Sequence, residues 1–410
     1  MSKNPITLQL KNLALPQRLS RIVSSYICSL MMPTESHTQA NAENLTGKSN
    51  SLFSNFLKKN ISFSKTILIS IVKRTLTKLC KKRTKLFKKC PWTVAVIVDS
   101  TLHARSSLHI ENCQKLNHGD GWVIGHQWTN FGIQIAEQFV PLPPIPFYTK
   151  EYCKENGLEY KTEHEKVASF IKNFSLKEIG LNIPPEEVVV IMDSGFDSKE
   201  IEKVIISKKW DFIIATKCKR NFSANLEEWC RVDRYSEHQK IPSNTIRIKS
   251  YRGKKRKIRQ YRATEQVGFL KGVHQKIKLV SSKKSKGKTK YLACSNINVD
   301  LETILFCYQL RWDIEIFHRD IKSYLGLEDA RVRSFNSLRN HVNWVYIAYL
   351  LLKERSPELG IKNAQLLFEK EVANKALKEA VQTLTQINGG THLKEHYQSV
   401  LATGKCSMAA

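Results

Sequence analysis

Three carboxylates are the residues best suited to chemistry in this chain. Asp99 closes the run WTVAVIVD and Asp193 closes the run VVVIMD, so each stands at the end of a predicted buried strand. Glu315 lies in the later stretch YQLRWDIEIFHRDIK. Carboxylates packed together raise one another's pKa unless cations neutralise them. Mg²⁺ or Mn²⁺ would suit these oxygen ligands, and two ions about 4 Å apart could support phosphodiester displacement.

The stretch around Glu315, residues 308–322, is predicted to be one amphipathic helix. Its apolar stripe consists of Leu310, Ile314, Phe317 and Ile321. The opposite face, spanning about 60°, carries Tyr308, Arg311, Glu315 and Lys322. A surface ion pair between Arg311 and Glu315, worth a few tenths of a kcal/mol, would explain this face taken alone. Together with the two aspartates, the pattern favours Glu315 as a metal ligand.

The composition points to a polyanionic partner. The 410 residues include 66 Lys and Arg against 37 Asp and Glu, a net charge of +29, which favours nucleic acid, with a membrane surface as the alternative. No apolar run is long enough to span a bilayer, and the first residues lack a signal-peptide core. The ten cysteines form no CxxC pair, which favours a reducing compartment. We therefore predict a cytoplasmic protein, associated with the nucleoid when bound to DNA.

The middle of the chain predicts a mixed α/β sheet. After the first strand, GWVIGHQWTN and GIQIAEQFVPLP are predicted as two strands joined by a turn at residues 130–132. A helix, the strand before Asp193, a helix over 199–207 and a strand at 212–216 follow. Asp197 is predicted to cap the helix over 199–207, with Glu200 completing a capping box.

Three further regions surround this sheet. Residues 218–290 are predicted to be a β-rich, basic insertion, and the residues of one of its hairpin tips are candidate DNA contacts: Arg252, Lys254, Lys255 and Arg256. A merely solvated hairpin is the alternative. Residues 1–90 are predicted to be a separable, helical and basic DNA-binding region, or a helix on a membrane surface. Residues 356–410 are predicted to be a helical C-terminal region.

The order of these features resembles a known family. Strand-Asp99, strand-Asp193, a basic insertion and then Tyr308-x2-Arg311-x3-Glu315-x6-Lys322 are similar to the DDE transposases of bacterial insertion sequences. Within that family, the chain most resembles the branch that has this signature and a β-rich insertion. It covers about residues 92–350 and includes the motifs VIVDST and DSGFDS.

The resemblance implies a fold and a set of roles. Residues 91–217 and 291–355 would form a ribonuclease-H-like catalytic domain, in which Asp99, Asp193 and Glu315 hold two Mg²⁺ or Mn²⁺ ions. Tyr308, Arg311 and Lys322 would grip the phosphates near the transposon end. A homodimer would pair two terminal inverted repeats, cleave the 3′ strand with water and join it to double-stranded target DNA. Relatives free the second strand through a hairpin.

Two alternatives remain open from the sequence. A ribonuclease-H-like nuclease would cut DNA without strand transfer. A degenerate transposase would act only as a DNA-binding protein, although all three carboxylates and the whole signature are present.

Overall fold

The computed structural model describes residues 10, 16–79, 84–87, 90–119, 121–238, 241–249, 258–284 and 287–388. Its helices are α1 (Gln17–Met31), α2 (Gln39–Thr46), α3 (Asn50–Leu57), α4 (Ile61–Leu79), α5 (Lys150–Glu155), α6 (Glu163–Asn173), α7 (Lys199–Ser207), α8 (Val232–His238), α9 (Leu301–Gln309), α10 (Trp312–Tyr324), α11 (Phe335–Arg355) and α12 (Ile361–Asn388). Its strands are β1 (Val94–Ala104), β2 (Gln114–His118), β3 (Gly121–Ile135), β4 (Gln138–Pro141), β5 (Ile145–Pro146), β6 (Val188–Met192), β7 (Asp211–Ala215), β8 (Asn221–Ser223), β9 (Cys230–Arg231), β10 (Asn244–Lys249), β11 (Ile258–Leu270), β12 (Ile277–Lys284) and β13 (Lys290–Cys294).

All these strands join one mixed sheet in the order β2-β3-β1-β6-β7-β13-β12-β11-β8-β9, with β10 on β11 and with β4 and β5 on β3. β3 is antiparallel to β1, whereas β6 is parallel to β1 and β7 is parallel to β6. Taking β4 and β5 as one interrupted strand, the core order β4/β5-β3-β1-β6-β7 is ribonuclease-H-like. The predicted mixed α/β fold is confirmed. The strands of the insertion continue the same sheet, because β13 pairs with β7.

The central strands are apolar because both of their faces are covered. Every residue of Val94–Val98 and Val188–Met192 is buried, as expected of parallel strands that helices cover on both sides. The prediction that the first strand ends at Asp99 is wrong. Its parallel pairing with β6 stops at Val98, but its antiparallel pairing with β3 continues to Ala104. Asp99 therefore lies where only the parallel partner ends.

The predicted turn at residues 130–132 is also wrong, because these residues lie inside the continuous strand β3. Asn130 pairs with Asp99, and Gly132 pairs with Ile97. Gly132 is needed for packing here, since a Cβ at this position would lie 2.1 Å from the ring of Phe139. The chain turns instead after Ile135, where Ala136 has a positive φ of 48°.

The stretch 308–322 is not one helix, as predicted, but two. At the junction two backbone N–H groups bond to the carbonyl oxygen three residues earlier instead of four: Leu310 N donates to Cys307 O, and Arg311 N donates to Tyr308 O. This tight turn separates α9 from α10, so Tyr308 lies on one helix and Glu315 on the next. The apolar stripe is as predicted, since Leu310, Ile314, Phe317 and Ile321 are fully buried. Asp300 caps α9 by accepting the N–H of Thr303 at 2.8 Å.

The predicted cap of α7 is wrong as well. Ser198 occupies the N-cap position and makes no side-chain capping bond. Asp197 instead accepts the backbone N–H of Lys217 at 2.8 Å and pairs with Arg220. These partners follow β7, so the carboxylate joins two segments that are distant in sequence.

The helices before residue 80 share one apolar core with the sheet and with α11. Polar contacts reinforce this packing: Ser64 donates to Asn340 at 2.6 Å, and Thr75 donates to Glu354 at 2.6 Å. Glu354 also pairs with Arg74. Among the described residues, no helix combines the length and apolar character needed to cross a membrane.

Candidate active site

Asp99 lies on β1 just past the end of its parallel pairing with β6, and Arg311 only partly offsets the effect of burial on this carboxylate. Its side chain is 15% exposed, and among the described residues its Oδ1 accepts the N–H of the adjacent Ser100 alone, at 3.0 Å. Burial raises the pKa of Asp99 to about 7, Arg311 opposes that rise, and the charges of Asp193 and Glu315 add to it. The other two predicted carboxylates therefore lie close enough to Asp99 to act on it electrostatically.

Asp193 follows β6 at the same end of the parallel strands. Its Oδ1 accepts the N–H of Gly195 at 2.7 Å, within the short 3₁₀ turn Ser194–Phe196. The ring of His164, on α6, donates from Nε2 to the carbonyl oxygen of Gly195 at 2.7 Å. The turn that presents Asp193 is thus fixed from both sides.

Arg311 connects the catalytic candidates on separate elements. Its guanidinium donates to Glu315 and lies 3.6 Å from Oδ2 of Asp99. The guanidinium carbon is 6.0 Å from the centre of the Tyr308 ring. Burial raises the pKa of Tyr308, so this phenol stays protonated at neutral pH. The predicted residues Tyr308, Arg311 and Glu315 are therefore neighbours of Asp99, despite the turn between the two helices.

Lys322 lies farther along α10 and already has partners. Its Nζ donates to the carbonyl oxygen of Leu102 and lies 3.1 Å from Glu328. The ammonium is therefore held beside β1, on the side beyond Asp99.

A basic cavity of about 550 Å³ opens beside these residues. Its charged and aromatic lining comprises Asp193, Lys217, Lys219, Lys290, Tyr291, Tyr308 and Arg311. A second cavity of about 210 Å³ shares Lys290, Tyr308 and Arg311 and continues onto the insertion strands at Tyr261 and Lys284. The sequence interpretation missed the three lysines. Two of them could have been predicted from their position, since Lys217 and Lys219 closely follow β7 at the end of the parallel strands where Asp193 lies.

The donor chemistry of the site fits a hard divalent cation, because Asp99, Asp193 and Glu315 offer only oxygen ligands and Asp99 lacks full compensation. The described residues nevertheless contain no group of three His, Cys, Asp or Glu side chains arranged as a ready metal site. The guanidinium of Arg311 pairs with both Asp99 and Glu315. The predicted insertion residues Arg252, Lys254, Lys255 and Arg256 lie outside the described residues.

Comparison with protein families decides the class of the domain. The family model described as "Transposase DDE domain" matches residues 170–351, a range that holds Asp193, Glu315 and the whole Tyr-Arg-Glu-Lys signature. This chain carries a transposase DDE domain. The predicted DDE transposase is confirmed, while its bacterial insertion-sequence branch stays a prediction. Asp99 precedes the matched range of the DDE domain.

No curated protein matches the chain. One solved structure that resembles it is described as the cryo-EM structure of a piggyBac transposase synaptic complex with hairpin DNA. The identity is 11%, the TM-score is 0.45, and the likeness covers 96% of this chain and 80% of the other. That likeness is weak.

Proposed function

We propose that this transposase cuts the ends of its transposon with a divalent metal and joins them to target DNA. The observation that carries the proposal is the convergence of Asp99, Asp193 and Glu315 around Arg311, next to a cavity lined by lysines. Paired carboxylates beside a cationic cavity suit an enzyme that attacks a phosphodiester.

Asp99, Asp193 and Glu315 would hold Mg²⁺ or Mn²⁺, and we propose two ions. Bound there, the metal supplies an activated oxygen nucleophile and stabilises the leaving oxygen. The protein's own residues do the rest. Arg311 would turn from the carboxylates to a DNA phosphate, and Tyr308 and Lys322 would fix the strand on either side of it.

Double-stranded DNA is the proposed substrate. The net charge of +29 and the lysine-lined cavity support binding of a polyanion. From the resemblance carried by the signature Tyr308-x2-Arg311-x3-Glu315-x6-Lys322, we propose that this chain binds terminal repeats and acts as a homodimer. We further propose that the helical region before residue 91 recognises the transposon end, that the insertion contacts DNA, and that the protein works in the cytoplasm at the nucleoid.

The test uses the DNA that flanks the gene, which should carry imperfect inverted repeats bounded by short direct duplications. Purified protein is incubated with a linear fragment containing both flanks and a circular target, with and without Mg²⁺. We expect Mg²⁺-dependent cuts at the repeats and joined products in the circle. Cuts without joined products would indicate the nuclease, and binding without cuts would indicate a protein that only binds DNA.

A further inference from the structure

A buried chain of three polar side chains lies beneath the carboxylates. Asn130 on β3 is directly opposite Asp99 in the antiparallel pair, so both side chains lie on the same face of the sheet. Tyr346 on α11 donates its hydroxyl to Oδ1 of Asn130. Nδ2 of Asn130 lies 2.8 Å from Nε2 of His318 on α10. The chain therefore joins α11, β3 and α10 below the site.

This arrangement determines which ring nitrogen of His318 carries the proton. Asn130 presents its Oδ1 to the Tyr346 hydroxyl, and its Nδ2 faces the imidazole and also lies 3.5 Å from the carbonyl oxygen of Trp128, which can only accept. An NH₂ group can only donate, and Nε2 of His318 must accept. Burial lowers the pKa of His318 to about 3, and the charges of Lys322 and Arg311 add to this. The ring is therefore neutral, with its proton on Nδ1.

His318 lies on the same side of α10 as the signature residues Glu315 and Lys322. His318 lies about 60° around α10 from Glu315 and about 40° from Lys322. Nδ1 has no protein partner among the described residues. It does not belong to the fully buried polar atoms that lack a partner, so it keeps some contact with solvent. Arg311 and Lys322 are the charged groups that influence it. A neutral ring thus lies on the face that carries Glu315, where Lys322 and Arg311 act on it electrostatically.

We propose that His318 is a further DNA-contacting residue of this active site, whose Nδ1–H donates to a phosphate oxygen beside Arg311 and Lys322. Asn130 and Tyr346 are positioning residues, because they fix the tautomer and the ring orientation without touching DNA. The inference rests on the proposed function and adds a neutral donor to its predicted DNA contacts. Such a donor adds direction to a phosphate site that is otherwise defined by charge.

Substituting His318 by Gln or by Asn distinguishes the roles of the two ring nitrogens. In His318→Gln the amide reaches about as far as Nε2, so it keeps the bond to Asn130 and loses the donor at Nδ1. In His318→Asn the amide reaches about as far as Nδ1, so it keeps the donor and loses the bond to Asn130. The variants are therefore matched controls for contact with DNA and for packing.

The measurement is the dissociation constant for the flank DNA in Mg²⁺-free buffer, with single phosphates near the cleaved bond replaced by neutral methylphosphonates. At one position, we expect the replacement to weaken wild-type and His318→Asn binding about tenfold, as for a hydrogen bond to a charged group. The penalty should be at least about threefold smaller in His318→Gln, because there only the contacts of Arg311 and Lys322 with that phosphate are left to lose. Equal penalties in all three proteins at every position would overturn the DNA contact.

Tyr346→Phe tests the positioning residues and covers the case in which a His318 variant fails to fold. Without the hydroxyl, the Asn130 amide can rotate, so the methylphosphonate penalty should fall to an intermediate value. An unchanged penalty would overturn the fixed tautomer. Wild-type protein that binds but does not cleave would contradict the proposed function while leaving these binding measurements valid. Failure to bind DNA at all would overturn both.

Discussion

Two clusters in this molecule contain the same groups, one arginine between two carboxylates, and differ in what surrounds them. Arg220 pairs with Asp197 and Glu202, whose side chains are 0% exposed. Arg311 pairs with Asp99 and Glu315, whose side chains are 15% and 29% exposed. The arginines themselves are similarly buried, at 15% and 13%, so burial of the cation does not distinguish the clusters.

The difference lies in how completely each carboxylate is satisfied. Asp197 receives the backbone N–H of Lys217 as well as Arg220, and Arg220 also donates to the carbonyl oxygen of Lys271. That cluster is closed and links α7 to the beginning of the insertion, at Arg220, and to the turn after β11, at Lys271. Asp99 has one local N–H and an arginine at 3.6 Å, and two further carboxylates raise its pKa. We therefore interpret the cluster around Arg311, which has surplus negative charge beside a cavity, as a functional site. The closed cluster around Arg220 stabilises the fold.

The largest effect should come from Glu315→Gln. The substitution removes a ligand charge from the open cluster, so cleavage of the flank DNA should fall by about 10³-fold or more, which corresponds to several kcal/mol of barrier. DNA binding and the unfolding temperature should change little, because the side chain is partly exposed and touches no proposed phosphate. A cleavage assay and a gel shift on the same preparation check both statements. An active variant would contradict the role of Glu315.

The next effect concerns the closed cluster. Arg220→Met should lower the free energy of unfolding by about 3–5 kcal/mol, because it leaves two sealed carboxylates without their cation. Arg311→Met is the control and should cost much less stability, since Asp99 can take up a proton. Urea denaturation of both variants measures the difference. Equal losses would remove the distinction between the clusters.

A third prediction concerns pH. The folded-state pKa of Asp99, about 7, exceeds its ordinary value of 3.8, so the folded chain keeps a proton that the unfolded chain releases. The stability from this proton is fully present below about pH 4 and is lost as the pH rises through 7.

Asp99→Asn lacks that dependence. Its free energy of unfolding, relative to wild type, should therefore increase by about 2–4 kcal/mol between pH 4 and pH 8. Denaturation curves at a series of pH values measure the change. A constant difference would show that Asp99 is ionised throughout.

The smallest effect should come from one exposed lysine of the cavity. Lys219→Ala should weaken binding to DNA of any sequence and reduce the slope of log K against log salt by about 1, because one phosphate contact is lost. Lys177→Ala is the control, since that exposed lysine does not line the cavity. Binding isotherms over a range of salt concentrations compare them. Identical slopes would exclude Lys219 from the DNA interface.

Local patterns predicted much of this architecture. The β-branched runs before Asp99 and Asp193 became β1 and β6 because buried parallel strands need apolar residues on both faces. Short-range signals failed where distant partners decide the outcome. Asn130 and Gly132 resemble a turn in sequence, but β1 pairs with them and Phe139 fills the space left by the missing side chain.

The candidate site shows the same limit. Spacing brought Tyr308, Arg311, Glu315 and Lys322 together, but it did not reveal the turn that separates α9 from α10. It assigned Asp197 to a cap because Arg220 is more than twenty residues away. The link from Tyr346 through Asn130 to His318 depends on contacts between three separate elements. No local pattern encodes such contacts.

Binding of Mn²⁺ tests the central claim most directly, because it asks which arginine–carboxylate cluster accepts a cation. Titrations would compare wild type, Glu315→Gln from the open cluster and Glu202→Gln from the closed one. We predict equal Mn²⁺ affinity for wild type and Glu202→Gln and at least about tenfold weaker binding for Glu315→Gln. Equal binding by all three proteins, or no binding by wild type, would contradict the account.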